Sequence, residues 1–107
     1  MYEVILSPLF EKEFRKLENA IQQRVRKILD KLKYNLIGEA LKGDLKGFYS
    51  VHFENNKYRL IYYKENNRIE VLVVHVGIRT KKFYEEFKRD YVKAQRKIAS
   101  NSGNTTL

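Results

Sequence analysis

The stretch from Leu41 to Tyr63, "LKGDLKGFYSVHFENNKYRLIYY", decides the fold. Apolar residues alternate on either side of Asn55-Asn56, and a period of two is that of a half-buried strand. Asparagine tolerates the positive φ that tight hairpin turns require, so the segment reads as two strands around a turn. With Asn55 and Asn56 as the loop residues, antiparallel pairing sets Glu54 opposite Lys57, Phe53 opposite Tyr58, His52 opposite Arg59, and Ser50 opposite Ile61. One face then carries Tyr49, Val51, Phe53, Tyr58, Leu60 and Tyr62, the expected core side. The other carries Ser50, His52 and Arg59 beside Ile61. A slip of one residue would bury Arg59 among aromatics, so the register is testable.

Downstream, "ENNR" at Glu65–Arg68 repeats the Asn-Asn turn signal, and "IEVLVVHV" at Ile69–Val76 is apolar at almost every position. Such a run predicts a central strand covered on both faces. Phe48–Phe53, Tyr58–Tyr63 and Ile69–Val76 therefore form a predicted antiparallel meander. Upstream, Tyr2–Leu6 reads as a short strand. Ser7 and Pro8 supply an N-cap and first helical residue, with Phe10, Phe14 and Leu17 at helical spacing. Asn19 starts a second helix with Gln22 as a capping-box partner and Ile21, Val25, Ile28, Leu29 and Leu32 as its apolar stripe. From Thr80 to Lys97, Phe83, Phe87, Tyr91 and Ala94 predict a C-terminal helix. The fold class is α+β: an N-terminal strand and helical hairpin packed on an antiparallel β-meander, with a C-terminal helix. One domain is expected over residues 1–97, with a disordered tail at 98–107, where no apolar pattern remains.

At 107 residues one core is enough, since a chain of this size buries roughly two-thirds of its unfolded surface. There is no cysteine, hence no disulfide framework, no thiolate nucleophile and no Cys-rich zinc site. No apolar run approaches the roughly 18 residues of a membrane span, and "MYEVILSPLF" lacks the features of a signal peptide. The expectation is a cytoplasmic protein without membrane contact. Lys and Arg number 22 against 13 Asp and Glu, a net charge of +9. The excess lies on the flanks: residues 8–34 hold eight basic and four acidic residues, residues 79–97 eight and three, and residues 35–78 six and five. Clustered charge of this kind fits a polyphosphate partner. Arg24, Arg26, Lys27, Lys31 and Lys33 fall on the polar side of the second helix, where they read either as a solvated face or as a phosphate track.

The polar face of the hairpin also has two readings. His52 opposite Arg59 is either an exposed cross-strand pair or part of a grip on a phosphodiester. Arg79, leaving the third strand after Gly77, and Tyr84, early in the last helix, supply the second reading. Arginine matches phosphate through bidentate hydrogen bonds. Histidine moves protons near neutrality, and tyrosine stacks on bases. Ser50, Lys57, Lys81 and Lys82 flank these positions as candidate RNA contacts. His75 is expected to point into the core beside Tyr58 as a structural residue. The two histidines have no metal-ligand spacing, and no Gly-rich phosphate loop or activated-serine motif is present, so neither metal nor cofactor is expected.

In order and spacing, "LKGDLKGFYSVHF", "KYRLIYY" and "VLVVHVGIRTKKFY" resemble the RelE/ParE superfamily of toxins from toxin–antitoxin systems, over nearly the whole chain to about residue 90. The RelE-like branch is favoured. The resemblance implies a RelE-like fold and an endoribonuclease that cuts messenger RNA in the ribosomal A site, held inactive by a RelB-like antitoxin. A toxin–antitoxin heterotetramer is an assembly that such a pair can form. It further implies that Arg59 and Arg79 match the family's phosphate-binding and catalytic arginines. Tyr84 matches, with a one-residue gap, the tyrosine that orients the scissile nucleotide. Where familiar RelE members place lysines in the second strand, this chain has Ser50 and His52, and His52 is the candidate for the proton-transfer role. The ParE-like branch, which binds DNA gyrase without nuclease chemistry, is the first alternative. A basic nucleic-acid-binding module without catalysis is the second.

Overall fold

The computed structural model describes residues 1–90. In chain order these form β1 (Glu3–Leu6), α1 (Pro8–Arg15), α2 (Asn19–Leu32), β2 (Glu39–Ala40), a 3₁₀ turn (Gly43–Leu45), β3 (Phe48–Phe53), β4 (Tyr58–Lys64) and β5 (Glu70–Ile78). A further helix, α3, covers residues 83–90. Tyr91, Ala94 and the tail expected at 98–107 lie outside the described residues. No helix among the described residues is long and apolar enough to cross a membrane.

The strands make one mixed sheet in the order β1-β5-β4-β3-β2. β3, β4 and β5 form the expected antiparallel meander, and the hairpin has the predicted register, His52 facing Arg59 and Ser50 facing Ile61. β1 joins β5 in parallel, from Glu3 opposite Glu70 to Leu6 opposite Val73. The short β2, within a segment read from sequence as a loop, pairs Glu39 with Ser50.

The β3–β4 turn is built on left-handed backbone at Glu54, Asn55 and Asn56 (φ 52°, 54° and 68°), one residue more than the Asn-Asn pair foretold. Lys57 N–H donates to the Glu54 carbonyl at 3.0 Å and closes it. The second Asn-Asn pair behaves differently, because Asn66 and Asn67 keep negative φ. Five residues separate β4 from β5, and that length removes the need for a tight turn of the primed kind.

One sheet face packs Val51, Leu60, Tyr62, Val71, Val73 and Val76 against Phe10 of α1 and Val25, Ile28 and Leu32 of α2. On the other face, Leu45, Phe48 and Ile61 meet Phe83 and Phe87 of α3. The strand covered on both faces is β4 rather than β5: Leu60, Ile61 and Tyr62 are all fully buried, whereas Val74 and His75 of β5 are half-buried. The reason is position, since β4 is third of five strands and β5 has only the four-residue β1 beyond it.

Two local expectations need correction. Asn19 does not cap α2: the cap residue is Glu18, without a side-chain hydrogen bond. The Gln22 amide instead donates to the Phe14 carbonyl at 2.9 Å, at the end of α1, where that carbonyl also accepts from Leu17 N–H at 3.1 Å. The second correction is His75. Ile61 faces His75 while Tyr62 faces Val73, so Val74 is an extra residue and β5 carries a bulge. The extra residue puts His75 on the α3 face, where it lies 4.9 Å from the Phe83 ring and 5.5 Å from that of Phe87, rather than in the core beside Tyr58.

α1 takes over the edge of β5 where β1 stops. Ser7 N–H donates to the Val73 carbonyl at 2.9 Å, and Ser7 Oγ accepts from Phe10 N–H at 3.1 Å as the helix N-cap. Further along, Glu13 Oε1 accepts the N–H of Val76 at 3.1 Å.

Candidate functional site

The α3 face of β3 and β4 carries Ser50, His52 and Arg59 toward the hairpin-turn end of the strands. Arg59 is only 5 % exposed. Its Nη1 donates to the carbonyls of Asn56 (2.8 Å) and Tyr58 (3.2 Å), while its buried Nε has no partner. No carboxylate among the described residues forms an ion pair with it. A guanidinium taken out of water with no counter-charge costs the fold several kcal/mol. An incoming anion would offset that cost.

His52 stands across the ladder from Arg59 at the rim of this cluster, with Nε2 3.9 Å from Glu39 Oε2. Its pKa is held below the ordinary 6.5, first by partial burial and then by the Arg59 charge. Glu39 opposes the shift and Arg79 adds to it. Burial and the Arg59 charge both favour the neutral imidazole, the form that accepts a proton. Ser50 is buried, and its Oγ lies 2.9 Å from the Tyr84 hydroxyl, tying α3 to β3. The Tyr84 ring is half-buried and meets Phe83 edge-on at 5.3 Å.

Arg79 reaches the cluster through the backbone: its N–H donates to the Lys57 carbonyl at 2.8 Å, which extends the β4–β5 ladder to the turn. Its side chain stays exposed. The structure therefore brings together Arg59, Arg79, His52, Ser50 and Tyr84. Three other predicted contacts stay peripheral. Lys57 Nζ lies 5.8 Å over the Tyr58 ring, and Lys81 and Lys82 are exposed in the turn before α3.

The polar side of α2 is partly engaged in structural contacts. Arg24 pairs with Glu54 at 3.3 Å, Lys33 with Asp30 at 3.3 Å, and Arg26 lies 5.3 Å over the Phe14 ring. This favours the solvated-face reading of that stripe. Glu39 was missed from sequence because β2 is too short for a strand signal. Glu13 was missed because an acidic residue on a helix carries no sign of its strand partner. Cavities of about 250 Å³ beside α1 and α2 and about 660 Å³ between β2 and the end of β4 are lined by other residues.

Residues 4–88 match the family model of the ParE-like toxins of type II bacterial toxin–antitoxin systems. Among solved structures, the isolated Escherichia coli RelE toxin is similar with a TM-score of 0.64 at 27% identity, over 83% of this chain and 98% of that one. The RelBE2 toxin–antitoxin complex of Mycobacterium tuberculosis matches with a TM-score of 0.63 at 23% identity, over 73% and 91% of the two chains. A YoeB/ParE toxin from Agrobacterium tumefaciens shares the fold with a TM-score of 0.60 at 15% identity, over 75% of this chain and all of the other. No curated protein gives a significant sequence match.

Proposed function

The chain belongs to the ParE-like toxins of type II bacterial toxin–antitoxin systems, and on that premise we propose that it is an endoribonuclease that cleaves messenger RNA in the ribosomal A site. The observation that carries this reading is Arg59, a buried guanidinium with an unpartnered Nε and no carboxylate, on the same face as a neutral-leaning histidine and a tyrosine. In the proposed reaction the ribose 2′-oxygen attacks the adjacent phosphorus and loses its proton to His52. The bond to the 5′-oxygen breaks, and a proton donor completes the new 5′-hydroxyl. Arg59 and Arg79 stabilise the charge that develops on the phosphoryl oxygens. Tyr84 stacks on the nucleotide and orients it. The products are a 2′,3′-cyclic or 3′-phosphate end and a 5′-hydroxyl, and the balance needs no metal or cofactor.

Ser50, Lys57, Lys81 and Lys82 are assigned to the RNA path around this centre. A RelB-like antitoxin is the proposed regulatory partner, as in the RelBE complexes with the same fold, with a heterotetramer as its assembly and the cytoplasm as its place of action. The test is incubation of the purified protein with ribosomes stalled on a defined message, with new RNA ends mapped beside an Arg79→Ala control. Cuts in the A-site codon that vanish in the control support the nuclease. A second reading, gyrase binding without catalysis, is favoured by Ser50 and His52 standing where the RelE resemblance would place lysines. It predicts no new RNA ends from the folded protein and capture of gyrase instead.

A further inference from the structure

His75 and Glu13 have no part in the chemistry above, yet they form a polar contact between α1 and the α3 side of the sheet. Glu13 Oε1 accepts the N–H of Val76 at 3.1 Å on the edge of β5 that β1 leaves unpaired. Its Oε2 lies 2.7 Å from His75 Nδ1, a close polar contact that lacks the alignment of a hydrogen bond. Both side chains are largely withdrawn from water, His75 at 18% exposure and Glu13 at 24%. The bulge at Val74 is what lets one carboxylate reach both a backbone amide and the neighbouring imidazole, because it turns His75 toward α3. There the ring lies 4.9 Å from Phe83, the residue that meets Tyr84 edge-on, and 5.5 Å from Phe87. In the sheet, His75 faces Ile61, which faces Ser50, the hydrogen-bond partner of Tyr84.

We infer that Glu13 and His75 form a positioning pair that sets α3, and with it the Tyr84 ring, over the arginine cluster. This rests on the nuclease reading for its effect on rate, though not for its effect on Tyr84. Glu13 anchors the imidazole from α1, and the imidazole is part of the surface, with Leu45, Phe48 and Ile61, against which Phe83 and Phe87 are placed. Neither residue touches RNA. Their influence passes through the orientation of Tyr84, and catalysis is sensitive to such orientation because a displacement near 1 Å can cost about a hundredfold.

The experiment is a double-mutant cycle on A-site cleavage, paired with NMR of the Tyr84 ring. His75→Ala is expected to lower kcat about tenfold with KM changed less than about twofold, the signature of a contact that matters only in the transition state. In a Tyr84→Ala background the same substitution should cost less than about twofold. Glu13→Ala should match His75→Ala, and Glu13→Gln should restore most of the rate, since the amide can still accept from Val76 N–H and face the imidazole. This Glu13 series carries the test if His75→Ala does not fold. Equal losses with and without Tyr84 would overturn the inference, as would a loss confined to KM. The Tyr84 ring resonances separate the two ideas. If they move in His75→Ala while the wild type cuts no RNA, the nuclease reading falls and the positioning pair stands. If they stay in place, the positioning pair falls whatever the cleavage result.

Discussion

Replacing Arg59 by methionine should leave the fold as stable as before or more stable, while removing RNA cleavage. The side chain is 5 % exposed, so solvent screens its interactions little. Methionine loses the Nη1 hydrogen bonds to Asn56 and Tyr58. Bonds from a charged donor are worth about 1.5–3 kcal/mol each, so the loss is about 3–6 kcal/mol. Against it stands the release of a desolvation penalty of several kcal/mol, with about 1–3 kcal/mol more for the unpartnered Nε. Asn56 is exposed, so its carbonyl can take water in exchange. Methionine also fills the space with an adaptable apolar chain. The terms come out between no change and a gain of about 1–2 kcal/mol. Each kcal/mol corresponds to about 4–8 °C in Tm for a domain of this size. Urea denaturation of both proteins at neutral pH measures the difference, and an RNA oligonucleotide added to each gives the second arm. The wild type should be stabilised by RNA through mass action and the variant much less. A loss of 2 kcal/mol or more in the variant would show that Arg59 is a structural residue, and the argument from an uncompensated buried charge would fail.

Further outcomes follow from the same geometry. His52 has a folded-state pKa below 6.5, so the unfolded chain binds the proton first as pH falls. Its contribution to stability is therefore undiminished above pH about 6.5 and is lost from there down to the folded pKa. On the same grounds the acid limb of the cleavage–pH profile should lie below about 6.5 and rise toward that value in Arg59→Lys if the lysine ammonium sits farther from the imidazole; NMR titration of the ring checks the direction. Ser7→Ala should cost about 1 kcal/mol in chemical denaturation, the usual worth of an N-cap, because Phe10 N–H loses its acceptor. Gly38 has φ +96°, and a Cβ there would lie 2.7 Å from the Ser50 carbonyl oxygen. Gly38→Ala should therefore destabilise by about 1–3 kcal/mol and slow cleavage by shifting β3 beneath Tyr84, while an equal fall in stability without a change in rate would disconnect Gly38 from the site.

Much of this was legible in the chain. The period-two pattern around Asn55-Asn56 carried the hairpin, its register and the neighbour relation of His52 and Arg59, because a one-residue slip would exchange the core and polar faces. The Ser7-Pro8 start of α1 was equally readable, being a local capping event. Local signals also misled where several partners competed: Gln22 was matched to a cap but found the end of α1, and "IEVLVVHV" looked doubly buried although the sheet places β4 at its centre.

Only the tertiary structure decided the rest. Whether Arg59 is solvated or buried depends on the α3 face closing over Ile61 and on the Asn56 and Tyr58 carbonyls that accept its hydrogen bonds. The Val74 bulge is a register shift between β4 and β5, and no residue type announces it; yet it sends His75 to the opposite face and into reach of Glu13, 62 positions away in sequence by the numbering of the pair. The joining of Ser50 to Tyr84 is likewise a meeting of elements 34 residues apart. Periodicity records which face of an element is apolar, because burial acts on each residue in turn. It does not record which polar side chains meet, because that depends on strand order, on bulges and on the packing of a helix encoded far away.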